Sequence, residues 1–516
     1  MIRISFAAAA ALVTMGLLAS CGPGTNKADD KTIIVARAGD NVSLDPAVTV
    51  NSGDGTIINQ CYDTLTSIDF TSGDGAAQGD LAASWSTSPD GLTWIFKLKK
   101  GFRFSSGAEV TAQDVVYSFL RVAKIGRAPA QGLFWMKSVT ADDAQTVRFA
   151  LNFPFPALPK ILSLTSGAIV DSKAIAANSI NGDLGKSWLS EHCAGSGPYT
   201  VQSWQRGQRL SLIANPHAVR KPAYFQRAVF KTVPDASSRR EQLAKGDVHL
   251  IDTIGAAEAA YYAALPGVVL KETDASNTLN FLTLNTKRGP LHDVRVRQAI
   301  DAAIDYAAIR DRVLKGNAIL LNGPIPPGVP GYDPALPQPA RNVGLAKSLL
   351  AQAGLRDGID LSMIVGTPGP VAELIQSNLA DVGIRLHLLR LAPSALDSAR
   401  ASGDYDVIYD GWIMDFPDPF IFLNLAFASP SAGGVGNFSH YSSPELDGLL
   451  EQAMSEADAT KRTELYRQAQ RIIVHDQPVV LLFAPKSIAA ARQTLTGVRL
   501  NPYQPNYLNI AAMGWR

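Results

Sequence analysis

Residues 404–420, DYDVIYDGWIMDFPDPF, join a short apolar run to a cluster of acidic and aromatic side chains. Tyr405 to Ile408 is a nearly continuous run of strand formers, typical of a β-strand that is buried on both faces. Pro417 and Pro419 prevent regular structure beyond it. Open α/β sheets bind their ligands just past the carboxyl ends of such strands. The stretch therefore predicts a central strand with a ligand site at its end.

Asp415 lies between Trp412 and Phe416, and this grouping suits a positively charged ligand. A carboxylate in a site that excludes water forms a strong hydrogen bond with an ammonium group, and aromatic faces attract cations. A solvated turn in which Asp415 caps a backbone N–H is an equally good interpretation of this stretch alone. The rest of the chain has to decide between the two.

The residues before this stretch alternate between helical and strand patterns. The predicted elements are helix 344–353, strand 359–365, helix 371–382, strand 384–390, helix 394–402 and strand 405–412. Strands that alternate with helices of about ten residues indicate βαβ units and a parallel sheet. This part of the chain is therefore predicted to be an α/β lobe.

The remaining elements mix strands, hairpins and helices. Thr111 and Asp114 predict a capped helix start, and Arg206-Gly207 predicts a hairpin turn. Further predictions are strands 32–38, 92–98, 229–233, 248–252, 279–285 and 479–484, a strand pair within 139–151, a short helix within 59–65, helix 236–245, a helix from Asp293 to Gly316, a long loop 321–339, and helices from Pro444 and about Lys461.

Length and charge narrow the class of protein. A chain of 516 residues exceeds the size of a single core, so two or three domains are expected. Its 47 basic and 46 acidic residues nearly balance, which gives no support for nucleic-acid binding.

The first 31 residues are predicted to be an export signal and a tether. Arg3 and the apolar run Phe6 to Leu18 form a segment of signal-peptide length. Residues 18–21, LASC, resemble the bacterial lipobox, in which Cys21 is acylated and becomes the mature N-terminus. An ordinary signal with a nearby cysteine is the alternative. Residues 22–31 are polar and suit a tether between the lipid and the folded body.

Cys61 and Cys193 are the two other cysteines of the chain. An even pair in an oxidising compartment permits one disulfide, although the sequence does not show that the two meet. One neighbouring histidine, His192, is too little to make a metal site with Cys193.

Catalytic motifs are missing from the sequence. It contains no G-x-S-x-G, H-E-x-x-H or S-x-x-K pattern. Gly185-Lys186-Ser187 is like the end of a P-loop, but Ile180 stands where the first glycine is required. We expect no catalytic residues, no metal and no cofactor. A secreted hydrolase with a spatially assembled site is the alternative of a different class.

Several stretches, in order along the mature chain, resemble the solute-binding proteins of bacterial peptide and nickel ABC importers. The most distinctive is LTWIFKLKKGFRFSSGAEVTAQDVVYSF (92–119). Others are LDP (44–46), GSGPYTVQSW (195–204), VFKTVPDASSRREQLAKGDVHLID (229–252), HDVRVRQAIDAAID (292–305), GPIPPG (323–328), LLAQAG (349–354), GDYDVIYDGWIMDFPDP (403–419) and NFSHYSSPELDGLL (437–450).

The resemblance implies a two-lobed α/β fold of the type II, three-domain peptide-binding subclass, in which the ligand is enclosed between lobes. It divides the chain after the predicted signal peptide 1–21 and tether 22–31 into lobe I from 32–58, 190–281 and 486–516, an inserted subdomain 59–189, and lobe II 282–485.

The resemblance also implies ligand contacts. Asp415, with Gly411 and Trp412 before it, matches the residue that pairs with a peptide's α-ammonium. Residues near Tyr62 and the loop containing Asn51 face the cleft in relatives. The arginine that binds the peptide's carboxylate in dipeptide binders has no convincing counterpart, because the segment 366–370, GTPGP, contains no basic residue.

The expected function is that of an exported, lipid-anchored binding protein. It would capture a small peptide or a related amine-bearing solute and deliver it to an ABC permease and its ATPase. Binders of nickel chelates, sugars and antibiotics occur in the same family and remain alternatives. A sensor or chaperone role is a further one.

Overall fold

The computed structural model describes residues 31–69, 75–273, 276–366, 369–433, 436–503 and 507–516. The α-helices of these residues are Ser52–Cys61, Ala112–Ile125, Ala128–Gln131, Leu158–Ile161, Ser172–Asn178, Lys186–Leu189, Ala236–Lys245, Ala259–Ala263, Val294–Ala303, Tyr306–Ala308, Val343–Gln352, Pro370–Ala380, Pro393–Ser402, Phe420–Phe427, Pro444–Ser455 and Ala459–Asp476. Aspartates such as Asp235, Asp293 and Asp458 begin several of them by accepting backbone N–H groups of the first turn.

A seven-stranded sheet contains the first strand of the chain. Thr32–Arg37 is central and pairs in parallel with Arg227–Thr232 and Leu250–Ile251. The strand order across the sheet is Val268–Glu272, Ile488–Arg492, Leu250–Ile251, Thr32–Arg37, Arg227–Thr232, Arg209–Ala214, Tyr199–Gln205. The last two strands form the hairpin predicted at Arg206-Gly207.

A six-stranded sheet contains the strand predicted at 405–412, which is observed at Val407–Ile413. Its order is Ala318–Leu320, Val479–Pro485, Thr278–Leu284, Val407–Ile413, Ile359–Val365, Ile384–Arg390. The last three strands are mutually parallel, which confirms the predicted βαβ units. Val407–Ile413 also pairs antiparallel with Thr278–Leu284, so it is interior to the sheet.

A four-stranded antiparallel sheet forms a third layer, with strand order Ala82–Thr87, Thr93–Leu98, Thr146–Leu151, Met136–Asp143. Helix Ala112–Ile125 packs on it through a buried aromatic cluster. Phe119 contacts Phe149 edge to face at 5.1 Å between ring centroids, and Trp135 lies 5.6 Å from Phe149. The predicted capping box of this helix is present, because the Thr111 N–H donates to Asp114 at 3.0 Å. Two short strand pairs, Thr66–Ile68 with Ala77–Gly79 and Leu495–Thr496 with Gly514–Trp515, complete the described sheets.

Two predicted helices were wrong in their bounds. The helix expected within 59–65 lies at Ser52–Cys61, because Asn51 caps its first turn and the Asp54 carboxylate accepts the Val42 N–H at 2.8 Å. These contacts outweigh the low helix propensity of the glycines in that turn.

The helix expected from Asp293 to Gly316 is interrupted. It ends at Ala303, and the chain is extended at Ile304, where the next N–H is accepted by Asn378 at 2.8 Å. A short helix and a π-helical turn, Ile309–Val313, follow before Gly316, whose φ of +81° ends the segment.

Candidate functional site

Strand Val407–Ile413 ends at the wall of a cavity of about 670 Å³. The Met414 N–H donates to the Asn277 carbonyl at 2.9 Å, and Met414 O accepts from Asn277 Nδ2 at 2.5 Å. Asn277 Nδ2 also donates to the carbonyl of Tyr503. Asn277 is fully buried, so it fixes the start of the turn that carries Asp415.

Three acids in and after the strand differ in their partners. Asp410 accepts from Arg400 at 2.6 Å. Asp418 accepts from both terminal nitrogens of Arg462 at 2.7 Å, and from the backbone N–H two residues later at 3.1 Å. Asp415 has no hydrogen bond or ion pair with any residue that the structure describes. The backbone-capping role left open for Asp415 thus belongs to Asp418.

Four parts of the chain form the walls of the cavity. They are residues 50–59 at the start of helix Ser52–Cys61, residues 128–134 and 161–166 beside the four-stranded sheet, residues 411–425 at and after the end of the strand, and Tyr503 with Tyr507. Most of the wall is apolar. The apolar side chains include Val50, Phe134, Ile161, Leu164, Trp412, Ile413, Phe416, Ile421 and Leu425. Tyr503 and Tyr507 supply phenol groups.

The Asp415 side chain is exposed, and it lines the cavity. The protein atoms around the carboxyl group disfavour its charged form, and this desolvation raises the pKa of Asp415 to about 6. A cation placed in the cavity would stabilise the ionised form.

Gly411, Trp412 and Phe416 line the same cavity as Asp415. Gly411 is exposed, whereas Phe416 is almost fully buried and shares the aromatic core. The Trp412 ring packs against Phe422 at 5.6 Å between centroids. The four candidate residues of this stretch, Gly411, Trp412, Asp415 and Phe416, are thus brought together by one strand end and its turn.

Asn51 and Tyr62 lie in different surroundings. Asn51 lines the cavity, and its Oδ1 accepts the Gly53 N–H at 2.8 Å as the cap of helix Ser52–Cys61. Tyr62 is buried, and its hydroxyl accepts the Ala194 N–H at 3.1 Å. Burial raises the pKa of this hydroxyl well above its usual value. Tyr62 faces a smaller neighbouring recess instead of the main cavity.

The recess has a volume of about 80 Å³ and a polar lining. Asn59, Asp415, Tyr503 and Tyr507 line both the recess and the main cavity, so the two spaces meet at the Asp415 carboxylate. A ligand group bound at Asp415 would stand between an apolar chamber and a polar one.

Asp80 and Arg220 carry the other charges of the recess. Arg220 donates to the buried carboxylate of Asp63, and its Nε lies 3.7 Å from Asp80 Oδ1. Desolvation and the nearby Asp63 charge raise the pKa of Asp80 to about 6. Sequence reasoning missed these residues and Asn277, because no motif or periodicity marks contacts that join distant parts of the chain.

Cys61 and Cys193 are joined by a disulfide. The glycine-rich segment after Cys193 passes close to it, and the Gly197 N–H donates to Cys61 O at 2.9 Å. A Cβ on Gly197 would lie 2.5 Å from the Cys61 carbonyl carbon, so a larger residue would displace backbone there. The bond fixes the end of the helix that forms one wall of the cavity.

Other predicted features concern the chain beyond the site. Cys21, the predicted lipidation residue, lies outside the described residues. Within the described ranges, no three His, Cys, Asp or Glu side chains are grouped to hold a metal ion. None of the helices in those ranges is both long and apolar enough to span a bilayer.

Comparisons with known proteins agree with this architecture. The family model of bacterial extracellular solute-binding proteins, family 5, matches residues 76–434. The chain is 33% identical to the probable D,D-dipeptide-binding periplasmic protein DdpA of Escherichia coli K12, covering 93% of this chain and 94% of that one.

Solved structures give the same result for the fold. HbpA2 from Haemophilus parasuis superposes with a TM-score of 0.84 at 26% identity, covering 94% of this chain and 100% of that chain. DppA from Helicobacter pylori, in complex with the peptide STSA, gives 0.79 at 26% identity, with 94% and 98% covered. The predicted two-lobed α/β fold is confirmed. The chain belongs to the bacterial extracellular solute-binding proteins, family 5.

Proposed function

We propose that this protein captures peptides or related amine-bearing solutes outside the cytoplasm and delivers them to an ABC import permease and its ATPase. The unpaired Asp415 carboxylate in the wall of an apolar cavity carries the proposal. An ammonium group placed there gains a charge-assisted hydrogen bond worth about 1.5–3 kcal/mol. The names of relatives that bind a D,D-dipeptide or the peptide STSA support the same ligand class.

Ligand capture works by a change in population, without a chemical step. The cavity is lined by residues 50–59, by residues beside the four-stranded sheet, by residues 411–425, and by Tyr503 and Tyr507. A ligand touches all of these parts only when the lobes are closed, so binding favours the closed form that a permease would recognise. The lobes are those predicted from the sequence, with 282–485 as the second lobe. The solute leaves unaltered.

We propose that the protein is exported to the periplasm or the cell surface and is anchored to a membrane there. The lipobox-like residues 18–21 and the polar segment 22–31 support an exported lipoprotein anchored through acylated Cys21. An anchor of this kind keeps the binding protein near the permease while a flexible tether lets it capture solute.

Replacement of Asp415 tests the proposal. We expect Asp415→Asn to weaken a bound amine by about tenfold or more, since it removes the charge but keeps the shape. Native mass spectrometry identifies what co-purifies, and calorimetry measures Kd for hydrophobic dipeptides and their C-terminal amides. N-acetylated forms of the same compounds, which lack the cation, should bind poorly to both proteins.

Asp397→Asn is the matched control, because it removes an equal charge from an exposed side chain outside the cavity lining. It should bind like the original protein. Equal affinity of the Asp415→Asn variant for every amine would refute the proposed role of this carboxylate. Turnover of a bound peptide would instead support a hydrolase.

A further inference from the structure

The described lining of the main cavity carries a negative charge and no positive charge. Asp415 is the only charged side chain among the described residues that line it. The internal segments beyond the described ranges, 70–74, 274–275, 367–368, 434–435 and 504–506, contain no Lys, Arg or His. The cavity thus offers an anion for an ammonium group but no cation for a carboxylate.

The recess does not supply the missing cation. Arg220 is its one basic lining residue within the described chain, and it already faces the carboxylates of Asp63 and Asp80. The lining of the recess thus holds two acids, Asp80 and Asp415, and one base, so the recess favours a positive group over a negative one. A ligand carboxylate there would have to compete with two resident acids for one guanidinium group.

Two basic residues near the end of the strand and its loop already have partners. Lys160 Nζ donates to the Pro417 carbonyl at 2.7 Å and lies 4.0 Å from Asp418. Arg400 donates to Asp410 at 2.6 Å. A carboxylate buried without a partner in an apolar chamber is strongly disfavoured.

We infer that the preferred ligand is a net cation: a primary amine on an apolar body whose far end is neutral and carries no free carboxylate. The amine pairs with Asp415 where cavity and recess meet, and the apolar body fills the chamber lined by residues such as Phe134, Ile161 and Leu425. This inference rests on the proposed function and narrows its substrate class from amine-bearing solutes in general.

Matched ligand pairs test the inference on the unaltered protein. The probes are leucyl-leucine and leucyl-leucinamide, with phenylalanyl-leucine and phenylalanyl-leucinamide as a second pair, each measured by calorimetry at pH 7.5 and native mass spectrometry. We expect each amide to bind at least about tenfold more tightly than its acid, because only the acid brings a carboxylate into a cavity whose described lining has no basic side chain. Asp415→Asn should weaken both amides.

The outcomes separate this inference from the proposed function. Asp415-dependent binding in which an acid equals or exceeds its amide would overturn the inference and leave the proposed function standing. Binding of the amides that is independent of Asp415 would overturn both. A carboxylate-bearing solute as the dominant species in the protein as purified would likewise overturn the inference.

Discussion

At the scale of the residue, Asp415 is a charge kept without a partner among the described residues. Desolvation raises its pKa to about 6, above the ordinary value of 3.8. Between these pH values the folded protein binds a proton that the unfolded chain has released. The contribution of Asp415 to stability therefore declines as pH rises from about 4 to above 6. The ionised Asp415 carboxylate therefore makes the ligand-free protein less stable at neutral pH than at pH 4, as far as this one group is concerned.

Asp415→Asn should stabilise the ligand-free protein at pH 8, because it removes the desolvated charge and keeps the side-chain shape. The melting temperature of the variant should exceed that of the original protein at pH 8. The difference should shrink toward pH 4, where Asp415 is protonated in the folded state. Circular dichroism of protein stripped of ligand measures both.

The control for this experiment is again Asp397→Asn, whose effect should be small and should not follow the same pH dependence. A melting temperature of Asp415→Asn that is unchanged or lower at pH 8 would mean that the carboxylate is stabilised by contacts in solution.

The sequence predicted part of this site and missed part of it. Asp415, Gly411, Trp412 and Phe416 were predictable because one strand end and its turn carry them. Asn277 was not, because its amide meets Met414 across 137 residues of sequence. Their roles toward a ligand stay predictions.

At the level of helices and strands, the sequence predicted the bounds correctly where apolar residues recur in a regular run along the chain. Strands Ile359–Val365 and Ile384–Arg390 have the predicted bounds because their runs of apolar residues are bounded by turn residues. Helix Ser52–Cys61 was misplaced because the side chain of Asp54 holds its start against Val42. Such a contact between loops leaves no periodic signal.

A buried ion pair joins the turn after the first strand to helix Ala112–Ile125. Arg121 donates to both oxygens of Asp45, at 2.7 and 2.6 Å, and the two side chains are 1% and 0% exposed. This pair gives a physical role to the LDP motif noted in the sequence. It connects the seven-stranded sheet to the four-stranded one.

Arg121→Met should lower the free energy of unfolding by about 3–5 kcal/mol, because it leaves the Asp45 carboxylate buried without its cation. Urea unfolding followed by circular dichroism measures the loss. Arg148→Met, which breaks an ion pair with Asp142 on the exposed face of a strand, should have little effect. The double variant Asp45→Asn/Arg121→Met should be more stable than Arg121→Met alone, because it also removes the unpaired buried charge. If Arg121→Met were as stable as Arg148→Met and the double variant gained nothing over Arg121→Met, the stabilising role of the Asp45–Arg121 pair would be contradicted.

At the scale of the whole molecule, contacts between the four-stranded sheet's subdomain and the loop after strand Val407–Ile413 close the cavity. Phe420 lies 5.4 Å from Phe134 and 5.1 Å from Phe155 between ring centroids. Lys160 reaches the Pro417 carbonyl beside them. Opening of the cavity on this side requires these contacts to separate, although the lobe boundaries themselves stay predictions.

Lys160→Met should shift the molecule toward open forms, because it removes a charge-assisted hydrogen bond made only when the two parts touch. The affinity for ligand should fall by about tenfold, and small-angle scattering of ligand-free protein should show a larger radius of gyration. Lys137→Met, at an exposed position of the same subdomain, should change neither. Unaltered affinity and size in the Lys160 variant would show that this contact does not govern closure.

The Cys61–Cys193 bond has a practical consequence for anyone who makes this protein. It secures the end of helix Ser52–Cys61, whose beginning forms a wall of the binding chamber. Protein produced in a reducing cytosol would lack this disulfide, whereas secreted protein would contain it. Two preparations of the same sequence would then differ in their affinity for a solute, so the compartment of expression is itself an experimental variable.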